Sequence, residues 1–178
     1  QERLLCSENG RIMMAFTDSP VVEAKHKFSR EDFFLYYPLP DRSWRKTPNQ
    51  LDSLGGEFAS AIYFPGTAER ICYSAQDSTG VRNVYSSTFA DSLWTVPRKI
   101  GGHQYSSSDE IYPMLSMDGR SLYFAAKGLY GVGGYDIYVS EWDDEKSEWG
   151  VPKNMGFPYS SPADDFLYTS SEDGRHVV

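Results

Sequence analysis

A short pattern recurs along the chain at steps of roughly fifty residues. The sequence Trp-Thr-Val-Pro at 94–97 returns as Trp-Gly-Val-Pro at 149–152, and Trp44 lies one step earlier. The turn-forming sequence Ser-Met-Asp-Gly-Arg at 116–120 returns as Ser-Glu-Asp-Gly-Arg at 171–175. Such a period is typical of repeat architectures, in which each unit buries its apolar face against a neighbour. It predicts an array of similar units and not a compact enzyme with a single site.

The composition predicts an all-β chain. Hydrophobic residues make up 40% of the sequence and aromatic residues 15%, which argues against disorder. The aromatic residues are mainly 13 Tyr and 10 Phe, which suit half-buried strands, and the 15 Gly and 10 Pro supply turns. We therefore expect short strands joined by tight connections.

The third repeat is the clearest and reads as four antiparallel strands. Its strands are predicted at 111–115, 122–126, 135–142 and 149–153. The first two are joined by Asp118-Gly119, which favours a type I′ hairpin turn. Four antiparallel strands in about 50 residues are the dimensions of a β-propeller blade.

The position of proline fits this blade. Pro97 and Pro152 fall in the predicted fourth strand, the outer edge of a blade, where a residue without an N–H is tolerated. Trp44 is expected to open the same strand in the first unit. We expect one incomplete propeller made of a divergent first blade, two further blades and the start of a fourth, at residues 1–54, 55–102, 103–156 and 157–178.

One continuous string carries a resemblance to a known family. It consists of Gly-Gly-Tyr-Asp-Ile-Tyr at 133–138, Trp-Gly-Val-Pro-Lys-Asn-Met-Gly at 149–156, Pro-Tyr-Ser-Ser at 158–161 and Asp-Asp-Phe at 164–166. The string resembles the WD40-like, TolB-type repeat of β-propeller proteins in the Bacteroidetes cell envelope. Those proteins often combine the propeller with tetratricopeptide repeats and an OmpA-like domain, and some belong to type IX secretion. The resemblance implies a periplasmic scaffold associated with the outer membrane.

Two acidic pairs are the candidate binding residues. Asp109-Glu110 and Asp164-Asp165 each precede the predicted innermost strand of a blade, so we expect them near one mouth of a central channel. Carboxylates gathered there could hold a cation or meet a basic partner. Alternatively, they fix turns by accepting backbone N–H groups.

Other recurring residues are expected to serve the repeat framework. Tryptophans at equivalent positions suit packing between blades, and Asp-Gly pairs suit turns. Asp136 is expected to anchor the Gly-rich connection between the second and third strands of the third unit. These residues are Trp44, Trp94, Trp149, Asp118, Gly119, Asp173, Gly174 and Asp136.

Charge and motifs narrow the function. A net charge of −8 disfavours nucleic acid and an anionic membrane surface, and no apolar run is long enough for a spanning helix. The sequence shows no metal-ligand spacing among its histidines and no serine-hydrolase elbow, so we expect no catalytic residue and no cofactor. The preferred hypothesis is a scaffold that binds envelope proteins. A carbohydrate-active propeller is the alternative, and the propeller gate of a peptidase is a third.

Overall fold

The computed structural model describes residues 21–25, 27, 43–46, 61–64, 69–101 and 107–168. This part of the chain is all-β, and every strand pairing in it is antiparallel. Most of the first unit before residue 43, together with Asp173 and Gly174, lies outside the described residues. No helix in the described segments is long and apolar enough to cross a membrane.

The strands fall into three sheets. The two-stranded sheet contains β1 (Ser43–Lys46) and β2 (Ala61–Phe64). The small sheet contains β3 (Arg70–Gln76), β4 (Arg82–Ala90), β5 (Leu93–Trp94) and β6 (Arg98–Lys99). The large sheet contains β7 (Glu110–Leu115), β8 (Ser121–Ala126), β9 (Asp136–Asp143), β10 (Glu148–Trp149) and β11 (Lys153–Asn154).

The small and large sheets share one design at their outer edge. The edge strand is broken in two, since β5 and β6 both pair with β4, and β10 and β11 both pair with β9. Pro97 and Pro152 lie in the gaps between the paired segments. Proline has no N–H to donate to a ladder, which explains why the predicted continuous fourth strand is divided.

The strand that contains Trp44 departs from the predicted order. In the sequence reading, Trp44 opens the outer strand of the first unit, whereas β1 pairs with β2 across the expected boundary at residues 54 and 55. Strands that are consecutive in sequence commonly pair with each other, and β1 and β2 do so here. The side chain of Trp44 lies outside the described part of the chain.

Strand β3 of the small sheet is buried on both faces. The five residues from Ile71 to Ala75 in β3 are all buried, although side chains alternate between the faces of a strand. Cys72 faces the large sheet, and burial raises the pKa of its thiol to about 12, so it behaves as a core residue. A strand covered on both sides has an almost continuous apolar sequence, and that is the pattern seen here.

The small and large sheets pack face to face through one shared core. Its buried members come from both sheets: Cys72, Val84, Ile100, Leu115, Leu122, Phe124, Ala126, Tyr138 and Trp149. On the far side of the large sheet, Ile111, Ala125 and Ile137 are covered by side chains that include Phe166 and Tyr168 from the following repeat. Each sheet is therefore a layer between neighbours.

We expect Leu122→Ala to destabilise the protein by about 2–5 kcal/mol, because Leu122 is fully buried between the two sheets and its loss leaves a cavity. Met117→Ala, at an exposed turn position, should change the free energy of unfolding by less than about 0.5 kcal/mol. Urea denaturation monitored by tryptophan fluorescence measures both. Similar losses for the two variants would contradict the shared core.

Candidate functional site

Asp109, the first acid of the third unit, connects the small sheet and the large sheet. Its Oδ1 accepts a hydrogen bond from the backbone N–H of Arg82 at 2.9 Å, and its Oδ2 accepts one from the hydroxyl of Tyr135 at 3.0 Å. Arg82 begins β4 in the small sheet, whereas Tyr135 directly precedes β9 in the large sheet. The carboxylate therefore bridges two sheets and does not merely fix its own turn.

Asp164 makes the same bond one repeat later. Its Oδ1 accepts the backbone N–H of Tyr135 at 3.0 Å. Arg82 and Tyr135 hold corresponding places, since each stands at the start of the strand that carries the broken outer edge. The first acid of each pair thus satisfies an N–H of the preceding repeat, across 27 residues for Asp109 and 29 for Asp164.

The second acids of the two pairs differ from each other. Glu110 is fully buried, and its Oε2 accepts the N–H of Val84 at 3.4 Å, a long hydrogen bond between the two sheets. Asp165 instead accepts the N–H of Ser161 at 2.6 Å and its hydroxyl at 3.1 Å. Glu110 therefore contacts the neighbouring sheet, whereas Asp165 stabilises its own loop.

A serine explains why Asp165 does not repeat the role of Glu110. Ile137 corresponds to Val84 in the next sheet, and its N–H is bonded at 3.2 Å by the hydroxyl of the buried Ser160. The same hydroxyl donates to the carbonyl oxygen of Ile137 at 3.3 Å. The N–H of Ile137 thus bonds to a neutral hydroxyl group, and the Asp165 carboxylate bonds within its own loop instead.

Burial raises the pKa of two carboxyl groups near this loop. For Asp136 the N–H groups of Gly133 and Val132 oppose the effect of burial, and Asp164 adds to it. For Asp165 the backbone and hydroxyl of Ser161 oppose burial, whereas Asp136 and Asp164 reinforce it. The negative charges of neighbouring carboxylates therefore contribute to the raised pKa of Asp136 and of Asp165.

Asp136 stabilises the glycine-rich connection between β8 and β9, as the sequence predicts. Its carboxylate accepts the N–H of Val132 at 2.9 Å and that of Gly133 at 3.1 Å. A Cβ on Gly131 would lie 1.9 Å from Oδ2 of Asp136, so no larger residue fits there without movement.

Two further glycines allow the next repeat to approach. A Cβ on Gly133 would lie 2.1 Å from the carbonyl oxygen of Ala163, and one on Gly134 would lie 2.1 Å from Oδ1 of Asp164. The sequence analysis used these glycines only as part of the string that carries the family resemblance. Their role is steric, because the loop of the following repeat lies directly against them.

The Asp118-Gly119 turn forms where predicted but is not of type I′. Only Gly119 of the two has a positive φ, at 69°, and its N–H donates to the carbonyl oxygen of Ser116 at 2.9 Å. Asp118 accepts the Ser116 hydroxyl at 2.5 Å and the Arg120 N–H at 3.0 Å, which lowers its pKa. The turn resembles a type I turn closed by a left-handed glycine, the usual longer hairpin connection.

Of the three recurring tryptophans, Trp94 and Trp149 have described side chains, and both are at least partly buried. Trp149 is 6% exposed and belongs to the core between the sheets, where its ring meets Trp142 edge to face at 5.3 Å between centroids. Trp94 is partly buried against the other face of the small sheet and meets Phe89 at 5.1 Å.

Tyr135 is the residue of this site that the sequence reading missed. Its backbone N–H donates to Asp164, and its hydroxyl donates to Asp109. Its ring lies 5.4 Å from the Phe166 ring between centroids, and the Lys127 ammonium lies 5.3 Å from its centroid. It thereby brings Asp109 and Asp164 to one place. The corresponding residue of the small sheet is Arg82, so the repeat carries no signal for it.

The arrangement offers hydrogen-bond acceptors, and the described acids are engaged with donors of the protein. Within the described residues, no three His, Cys, Asp or Glu side chains are placed to hold a metal ion together. The carboxylates of Asp109, Asp164 and Asp165 already accept backbone or hydroxyl donors from the protein. The acids therefore do more than fix their own turns, because two of these bonds connect different repeats.

No protein-family model, curated protein or solved structure matches this chain.

We expect Asp109→Ala to lower the free energy of unfolding by about 1–2 kcal/mol, because the Arg82 N–H and the Tyr135 hydroxyl both lose their acceptor. Glu145→Ala, at an exposed turn whose side chain makes no described bond, is the matched control and should stay within about 0.5 kcal/mol. Chemical denaturation of both variants tests this. Equal effects would show that the bridge contributes nothing to stability.

Gly134→Ala should destabilise the protein because the new methyl group collides with the Asp164 carboxylate. The cost should be smaller when Asp164 is already alanine, since the colliding oxygen is then absent. A double-mutant cycle on the two positions, read by thermal denaturation, measures this coupling. Strictly additive effects would argue that the glycine is needed for another reason.

Proposed function

We propose that the chain is part of a β-propeller and acts as a non-catalytic scaffold for protein binding. The observation that carries this proposal is the hydrogen bond that recurs from Asp109 to Arg82 and from Asp164 to Tyr135. It links each repeat to the one before it in the same way. Antiparallel sheets that pack against each other through a shared core are also consistent with adjacent propeller blades.

The same bond argues against catalysis. A catalytic carboxylate must be available to a substrate, and the pair that acts in a glycosidase occupies unlike environments around one bond. Asp109 and Asp164 each accept a backbone N–H from a corresponding position of the preceding repeat. Their recurrence is that of a structural residue, which favours a scaffold over the carbohydrate-active alternative.

The cellular setting of the proposal comes from the family resemblance. We infer a periplasmic scaffold associated with the outer membrane, which binds other envelope proteins at the edge where the acidic pairs lie. The net charge of −8 favours basic partners and disfavours nucleic acid. A link to secretion or to anchoring on peptidoglycan belongs to the same proposal.

Affinity capture from an envelope extract tests the scaffold role. Wild-type protein should retain defined partners, and Asp164→Asn should reduce their recovery because it removes an exposed charge while it keeps an acceptor for Tyr135. Asp144→Asn, at the opposite edge of the large sheet, is the charge-matched control. Unchanged recovery with Asp164→Asn would exclude this edge.

A glycan panel separates the two function classes. The scaffold proposal expects no turnover of any glycan by the purified protein and no saturable glycan binding. Hydrolysis of a panel member that Asp109→Asn or Asp164→Asn abolishes would overturn the non-catalytic assignment.

A further inference from the structure

Tyr130 is a large side chain that the fold leaves in solvent while it holds the backbone in place. The residue lies in the connection between β8 and β9, and it is 80% exposed. Its carbonyl oxygen accepts the hydroxyl of Tyr138 at 2.8 Å. Exposed aromatic residues of this kind are enriched where proteins contact partners.

The connection is anchored on both sides of Tyr130. Before it, Leu129 packs against the core shared by the two sheets. After it, Val132 is buried and donates its N–H to Asp136, as does Gly133. When a partner binds Tyr130, this loop therefore loses little conformational entropy, which favours affinity.

The charge around this edge of the sheets favours a cationic partner. The ends of three neighbouring strands of the large sheet lie side by side, at Glu110, Ala126 and Asp136. The connections that precede or follow these residues therefore meet at one end of the sheet, which is the edge meant here. The partly or fully exposed charged side chains described there are four carboxylates and two cations: Asp77, Asp109, Asp164, Asp165, Arg82 and Lys127. The Lys127 ammonium is already placed over the Tyr135 ring.

Tyr130 lies within reach of the exposed acid of this edge. Gly134, four residues along the chain, touches Asp164, so the Cα of Tyr130 is at most about 15 Å from that contact. A short extended peptide can span this distance with two side chains. One side chain would stack on the phenol ring and the other would meet the carboxylate.

We propose that Tyr130 and the acidic edge beside it form a docking surface for a protein segment that carries arginine or lysine. This inference rests on the proposed scaffold function and names its binding surface and the chemistry of its partner. The cation of the segment packs on the Tyr130 ring, and a second cation pairs with Asp164.

A fluorine label tests the surface directly. The full chain with 3-fluorotyrosine at position 130 is titrated with a Gly-Ser peptide that carries three arginines, and with the same peptide in which citrulline replaces arginine. We expect the arginine peptide to shift the fluorine resonance in a saturable manner, while the neutral citrulline peptide does not. No shift, or an equal shift with both peptides, overturns the proposal.

Variants separate the ring from general electrostatics. Tyr130→Ala should weaken binding of the arginine peptide about three- to tenfold, whereas Tyr130→Phe should stay within about twofold because the ring remains. Val151→Ala, at a side chain 63% exposed on the outer edge, is the control and should have no effect. Equal losses for Tyr130→Ala and Val151→Ala would reject Tyr130 as the contact.

The outcome is distinguishable from failure of the scaffold itself. If Asp164→Asn abolishes partner capture while Tyr130→Ala changes neither capture nor peptide binding, the scaffold stands and this docking surface is rejected. If the protein retains its partners and neither variant affects their capture, this edge and its docking surface are rejected. If the wild-type protein retains no defined partner, the scaffold proposal fails as well. Thermal denaturation of each variant confirms that the fold is retained.

Discussion

The repeats depend on a backbone N–H that a carboxylate of the following repeat accepts. The N–H groups of Arg82 and Tyr135 each bond to an aspartate 27 or 29 residues further along the chain. Leaving such a donor without a partner costs free energy wherever water cannot replace the acceptor. Neither sheet is therefore complete without the segment that follows it.

The steric pattern of the glycine-rich connection follows from this contact. For Asp164 to meet the N–H of Tyr135, its loop must lie against the backbone of residues 133 and 134. Any side chain there would occupy the space of the aspartate or of the Ala163 carbonyl oxygen. The glycines and the acid thus form one constraint, although they lie some thirty residues apart in sequence. Asp136 completes it by bonding the N–H groups of the same connection.

Much of the fold could be predicted from the sequence, because strand positions depend on local patterns. The third unit shows this best, where the strands expected at 111–115 and 122–126 are observed as Glu110–Leu115 and Ser121–Ala126. The pairing of β1 with β2 was not predictable from the repeat, since periodicity does not define partners. The acids were recognised as a pair, but whether they face a channel or a backbone depends on tertiary contacts. Tyr135 corresponds to Arg82 in the small sheet, so the repeat pattern did not single it out as a site residue.

The offset between a sheet and the segment that completes it has an evolutionary consequence. Tandem arrays grow and shrink by duplication and recombination of one period. An exchange at the end of β11 would separate the large sheet from Asp164 and Ser160, which satisfy the N–H groups of Tyr135 and Ile137. Exchanges that carry the loop at 156–165 along with the preceding strands would keep those bonds intact. The unit that can be exchanged without loss of these bonds thus ends one loop later than the sheet itself.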